Sequence, residues 1–215
     1  MNLLPAAVRN NAEWCALVCR THGVASRFGD RAWRAEGQPP PFYPSAITLT
    51  PDAAAADVLP ASSVKDSYAA LDLDGFTPLF EARWIHRPAP SRVPGPLARR
   101  VATPAELREW HAQWGSGDVF RPALLDDPAV AVLAVDSRGG AVLNRAAGVV
   151  GVSNVFAVVP ADIDGVWSAT VHAAAALFPG LDLVGYEHGD DLTTALAAGF
   201  APIGPLRVLV SASPG

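Results

Sequence analysis

The chain has 215 residues, a formal net charge of −5, a mean hydropathy of +0.22 and charged side chains at only 17% of positions. That suffices for one large domain or two small ones with a core that needs no metal or disulfide staple, and it is too apolar for a disordered chain. No apolar run approaches the ~20 residues that span a bilayer, and Leu3–Leu4 ahead of Pro5 and Arg9 is no secretory core, so a soluble cytoplasmic protein is expected.

In chain order, Val8 to His22 reads as a helix closed by Gly23. Cys15, Cys19 and His22 share a face of it, which is either three soft metal ligands or small groups packed with Val8, Ala12 and Val18. No second Cys/His cluster completes a coordination shell, and no metal site is assigned. The four prolines of Gly37–Pro44 exclude regular structure. Ala46–Thr50 is a strand, Pro51–Val58 a brief helix, and Gly75–Ile85 a strand with Phe80, Ala82 and Trp84 on one side. Trp33, Trp84, Phe42 and Tyr43 either line a cleft or close a small core. Arg87–Pro96 is the linker-like stretch, which divides the chain into segments 1–92 and 97–215.

The second segment starts with a strand over Leu97–Ala102. Thr103-Pro104-Ala105-Glu106 then gives an N-cap, a first-turn proline and a capping-box glutamate, predicting a helix to Trp114 that stops at Gly115. His111, Trp110 and Trp114 follow helical spacing and belong to core or rim. A short turn of helix at Pro122–Asp126 precedes a strand at Ala129–Val135, a turn at Ser137–Gly140 and strands at Ala141–Ala146 and Val149–Val159. The third is expected to bulge around Ser153–Phe156, with Gly151 favouring such a bulge. A helix over Asp162–Phe178, with His172 structural, a strand over Leu181–Tyr186, a helix over Asp190–Ala198 and a strand over Phe200–Val210 complete the order.

Residues 1–100 hold eleven basic and nine acidic side chains, and 101–215 hold five and twelve; Ala146–Leu206 has no Lys or Arg. Such a surface repels phosphate backbones and excludes nucleic acid as the expected partner. A Gly-Phe-x-Pro-aliphatic stretch at Gly75–Leu79 recurs at Gly199–Ile203, each time ahead of a strand with an arginine, Arg83 or Arg207. It arises either from chance or from a duplicated half-domain.

The element order, Gly199-Phe200 after a helix, and the strand ending Ala157-Val158-Val159-Pro160 resemble the GNAT acetyltransferase superfamily over residues 97–215. The resemblance implies an α/β fold with a mixed sheet, here preceded by an N-terminal α/β segment, a partial copy if the repeat is real. It implies acetyl-CoA as co-substrate, held along Val155, Phe156, Ala157 and Val158 and at a loop containing Gly165, Val166 and Ser168. The family's loop arginine corresponds to Ile163 and its glycines to Val166 and Ser168, while Asp162 and Asp164 add negative charge suited to capping a helix. The family's leaving-group tyrosine corresponds to Ala195 and its asparagine to His188. Arg92, Arg99, Arg100 or Lys65 are the cations available to reach the loop.

Amine acylation needs a base and an oxyanion donor. Glu187 and His188, past a strand's C-terminal end, are the catalytic candidates, and Ser153 and Asn154 mark the oxyanion and acceptor region. The expected function is N-acyl transfer from acyl-CoA to a small-molecule or peptide amine, in a monomer or homodimer away from membranes. The alternative is a GNAT-fold binding module without transferase activity.

Overall fold

The computed structural model describes residues 3–91, 95, 98–115 and 117–212. The first half comprises α1 (Leu4–Thr21), β1 (Ser26–Phe28), β2 (Ala32–Ala35), β3 (Ala46–Thr48), α2 (Ala55–Val58), β4 (Ser63–Asp66) and β5 (Phe76–Arg87). The second comprises β6 (Arg99–Arg100), α3 (Pro104–Trp114), a 3-10 turn at Pro122–Asp126, β7 (Val130–Val135), β8 (Gly139–Ala146) and β9 (Val149–Ala157). A 3-10 turn at Pro160–Asp162, α4 (Ile163–Leu177), β10 (Leu183–Glu187), α5 (Gly189–Ala197) and β11 (Ala201–Ser211) follow. The linker expected at Arg87–Pro96 lies partly outside the described residues.

Local signals act as the sequence implies where they are strong. Thr103 accepts a hydrogen bond from the Glu106 N–H, Glu106 returns the capping box, and Gly115 ends α3 at a φ of +80°. α1 starts four residues ahead of the predicted Val8 because Pro5 tolerates a first turn, where its missing N–H has no intrahelical partner.

The strands form one eleven-stranded mixed sheet in the order β1-β2-β3-β4-β11-β5-β10-β9-β8-β7-β6. The last strand of each half is seated in the other half: β5 pairs with β10, and β11 pairs with β4. On either side of this exchange lie a parallel pair, β3–β4 or β9–β10, and then two antiparallel steps. Ten of the strands are therefore related by a local pseudo-two-fold axis through the Ala82–Leu206 pair, with β6 as an added edge.

The recurrent Gly-Phe-x-Pro-aliphatic stretches are the two strands at that axis. Gly75 and Gly199 both take positive φ, at +76° and +87°. Pro78 pairs with Leu209 and Pro202 with Ile85, and in each copy the aliphatic residue after the proline, Leu79 or Ile203, is the bulged one. The halves differ in what they keep. α4 has 15 residues and α2 only four, and a loop in the first half stands where α5 stands in the second.

α1 crosses the sheet over β8 and β9 and carries a buried polar clasp. The Asn10 amide donates to the carbonyls of Asn144, Ala146 and Val149, and Asn144 donates back to Asn10 Oδ1 at 3.1 Å. A Cβ on Gly151 would overlap both asparagine side chains, so this glycine exists for close approach. It plays no part in the bulge, which falls at Asn154 within the expected Ser153–Phe156 stretch. Asn10→Ala would strand three carbonyls and the Asn144 amide, and urea unfolding should show a loss of about 2–4 kcal/mol.

Candidate functional site

β9 and β10 are parallel neighbours over only two pairs, Leu183–Val150 and Val184–Gly151, and then separate. Gly185 permits the narrowing before the gap, since a Cβ there would lie 2.7 Å from the Val152 carbonyl oxygen. Beyond it β9 bulges where expected. Asn154 takes a φ of +52°, and two residues, Asn154 and Val155, stand opposite Ala141. The edge of β9 that faces the gap thus keeps polar backbone groups unpaired by β10. Ser153 Oγ is buried with no hydrogen-bond partner among the described residues.

The gap opens into a cavity of about 520 Å³, a size suited to a small ligand. Its walls come from both halves: α1, the Phe42–Pro44 loop, Lys65 on β4, Phe80 on β5, Ser153 and Asn154 on β9, and Tyr186–His188 on β10. The two catalytic candidates and the two oxyanion-region candidates therefore lie on one cavity. Burial, reinforced by Asp191, pushes the Glu187 carboxyl up to about 8. His188 stacks on Phe80 with ring centroids 5.0 Å apart. Ala195, at the family's tyrosine position, is fully buried and lines no part of the cavity.

Of the expected cofactor positions, Val155 and Ala157 pack toward α4, Phe156 packs edge-on against Trp110, and Val158 is exposed at the end of β9. Gly165 and Ser168 are half-buried on α4, whereas the Val166 side chain is in the core with Val135 and Ala169, leaving only its backbone for a ligand. Asp162 makes no side-chain cap, which corrects the capping role expected for it. Of the cations expected to reach the loop, three are placed elsewhere. Arg99 pairs with Glu106, Arg100 is spent on the carbonyls of Asp127 and Val130, and Lys65 is in the cavity; Arg92 lies outside the described residues.

Among the described residues, Arg138 is the cation beside the start of α4, with Asp136 3.6 Å from its guanidinium. It sits in the β7–β8 turn, its carbonyl accepts the Val158 N–H at 2.7 Å, and a Cβ on Gly165 would be 3.3 Å from its Nη1. Ser137–Gly140 was legible only as a turn, because nothing local says that the turn folds over the start of α4.

Phe42, Tyr43 and Trp84 line the cavity, while Trp33 is buried in a separate cluster with Cys19 and Ile47. Of the three soft groups of α1, Cys15 and Cys19 are both buried in that cluster, Cys15 also reaching the cavity wall, while the His22 ring turns away to meet the Val119 carbonyl at 2.6 Å. Burial raises both thiols, the opposite of a metal-ready thiolate. His111 accepts the Phe120 N–H, and His172 bonds the Ser168 carbonyl one turn back. No helix among the described residues is long and apolar enough to cross a membrane.

No family model matches the sequence, and no curated protein matches it. Among solved structures, a GCN5-related N-acetyltransferase from Kribbella flavida superposes with a TM-score of 0.60 at 15% identity, covering 97% of this chain and 96% of that one. A GNAT-family protein from Novosphingobium aromaticivorans DSM 12444 gives 0.53 at 12% identity, covering 97% and 99%. Both similarities extend through residues 1–92 as well as the segment whose order carried the resemblance, and the chain has the GCN5-related N-acetyltransferase fold.

Proposed function

We propose that the protein transfers an acyl group from acyl-CoA to the amine of a small molecule. The observation that carries this reading is the meeting, on one cavity, of a parted strand pair, a bulged strand with free backbone groups, and a carboxyl raised to about 8. The residues fit acyl-CoA in three respects. The gap edge of β9 offers backbone partners to an extended chain, the start of α4 offers N–H groups to a phosphate, and Arg138 stands beside it with positive charge. Asp162 and Asp164 oppose the phosphate and weaken this end of the site.

When bound, acyl-CoA supplies an activated carbonyl. Glu187, with a pKa near working pH, accepts the proton that the amine loses as its nitrogen bonds to that carbonyl; the carbon–sulfur bond then breaks and CoA leaves as a thiolate that takes its proton from solvent. Backbone N–H groups at the Asn154 bulge are placed to receive the charge that develops on oxygen. His188, held on Phe80, borders the amine side and orients the acceptor. Aromatic walls from Trp84 and Tyr43 exclude water, which suppresses hydrolysis.

The test is thiol release. The protein is incubated with acetyl-CoA and a panel of primary amines, and free CoA is followed with a thiol reagent. Amine-dependent release is expected for at least one amine. Absence of release, together with no thermal shift on adding CoA up to millimolar concentration, would overturn the transferase reading in favour of a binding module.

A further inference from the structure

Lys65 is the only lysine of the chain and is 3% exposed, yet it lines the cavity. Its Nζ donates to Asn11 Oδ1 at 2.8 Å and to Tyr186 Oη at 3.1 Å. Among the described residues no carboxylate lies within ion-pair distance of it; the acid next along β4, Asp66, points to the other face and holds Arg207 at 3.0 Å. A buried ammonium without a counter-ion is costly, and its solvation is made good either by neutral dipoles or by a ligand.

The neutral partners, which include the Tyr186 ring face 4.3 Å from Nζ, bring no negative charge to match the ammonium. With the Tyr186 oxygen accepting from Nζ, the phenolic proton is left to donate elsewhere, and no hydrogen bond from it is made among the described residues. With Asn11 Oδ1 facing Nζ, the Asn11 amide N–H₂ is likewise left to donate. Three donors of one charge unit therefore converge on the cavity wall with no acceptor among them. Tyr186 and Glu187 both line this cavity, which sets the cluster and the base on one space.

We propose that Lys65, Tyr186 and Asn11 bind the carboxylate of the acceptor, so that the substrate class is amino acids rather than simple amines. One unit of positive charge with two neutral donors matches a monoanion with two oxygens; a phosphate dianion would call for more cations. The cavity beyond is lined by Trp14, Trp84 and Trp114, which suits an apolar or aromatic side chain. This assignment rests on the acyl-transfer reading for its use of the word substrate, though not for the binding itself.

The experiment is calorimetric titration of the full chain with L-phenylalanine, L-tryptophan and L-leucine, each against its decarboxylated amine. At least one amino acid is expected to bind tenfold or more tighter than its amine. Lys65→Met, a change of similar length that removes the buried charge, should erase the difference, and Tyr186→Phe should reduce it about three- to tenfold. Equal binding of the pairs, binding of none of the amino acids, a preference that survives in a folded Lys65→Met protein, or one left undiminished in a folded Tyr186→Phe protein would overturn the assignment. A parallel acetyl-CoA titration separates the two readings. CoA binding without a carboxylate preference sinks only this inference, and the preference without CoA binding sinks only the transferase.

Discussion

Glu187→Gln should lower kcat/KM for acyl transfer by about 10²–10⁴-fold while leaving acetyl-CoA affinity within a few-fold, because it removes a proton acceptor and keeps the shape of the side chain. In the wild-type protein the rate should rise with pH and level off above about 8, since the base works only when deprotonated and burial holds its pKa there. The variant should lose that inflection. Stability gives an independent check of the same pKa. A carboxyl raised from its ordinary 4.5 keeps its proton in the folded state over a range where the unfolded chain has lost it. Its contribution is complete below about 4.5 and disappears as pH rises through about 8. Glu187→Gln therefore gains in thermal midpoint relative to wild type as pH rises from 5 to 9. A pH-independent gap between the two proteins, with an unchanged rate profile, would remove Glu187 from the chemistry.

Gly165→Asp should abolish the thermal shift produced by acetyl-CoA. At a hundredfold excess over its dissociation constant a ligand specific for the folded state stabilises it by about 2.7 kcal/mol, an effect easily read by calorimetry. The substitution adds a third carboxylate to Asp162 and Asp164 at the start of α4 and places it against Arg138, 3.3 Å from the glycine's Cβ direction, so it opposes the cation there among the described residues. Gly165 has ordinary helical φ, so the variant should fold. An acetyl-CoA shift that persists in Gly165→Asp would mean that the phosphates do not sit at this helix, whatever the cavity does.

Much of the second half was legible because its signals are local. The Thr103–Glu106 box, Gly115 and the Asn154 bulge act within a few residues, and each appears within a residue or two of its expected place. β1, β2 and β4 escaped notice for the converse reason. They are three or four residues long, too short for an alternating pattern, and are held as strands by their neighbours in the sheet. The candidate site divides the same way. Glu187, His188, Ser153 and Asn154 stand at the end of one strand and the bulge of another, positions that element order reveals. Arg138, Tyr186 and Asn11 carry no such marker, and Lys65 stands in the sequence only as one of the cations available to the loop, because each acquires its meaning from a residue far away in the chain.

The sequence by itself determined the element order of residues 97–215, the caps and stops of its helices, the recurrence of Gly-Phe-x-Pro-aliphatic, and the charge balance between the two halves. Those follow from backbone preferences and composition, which are carried by adjacent residues. The tertiary structure decided that the two halves exchange their last strands, that β5 lies between β10 and β11, and that Lys65 from one half meets Tyr186 from the other. Strand pairing across so many residues is governed by loop closure and by the burial of both sheet faces, and neither leaves a mark on any short stretch of sequence.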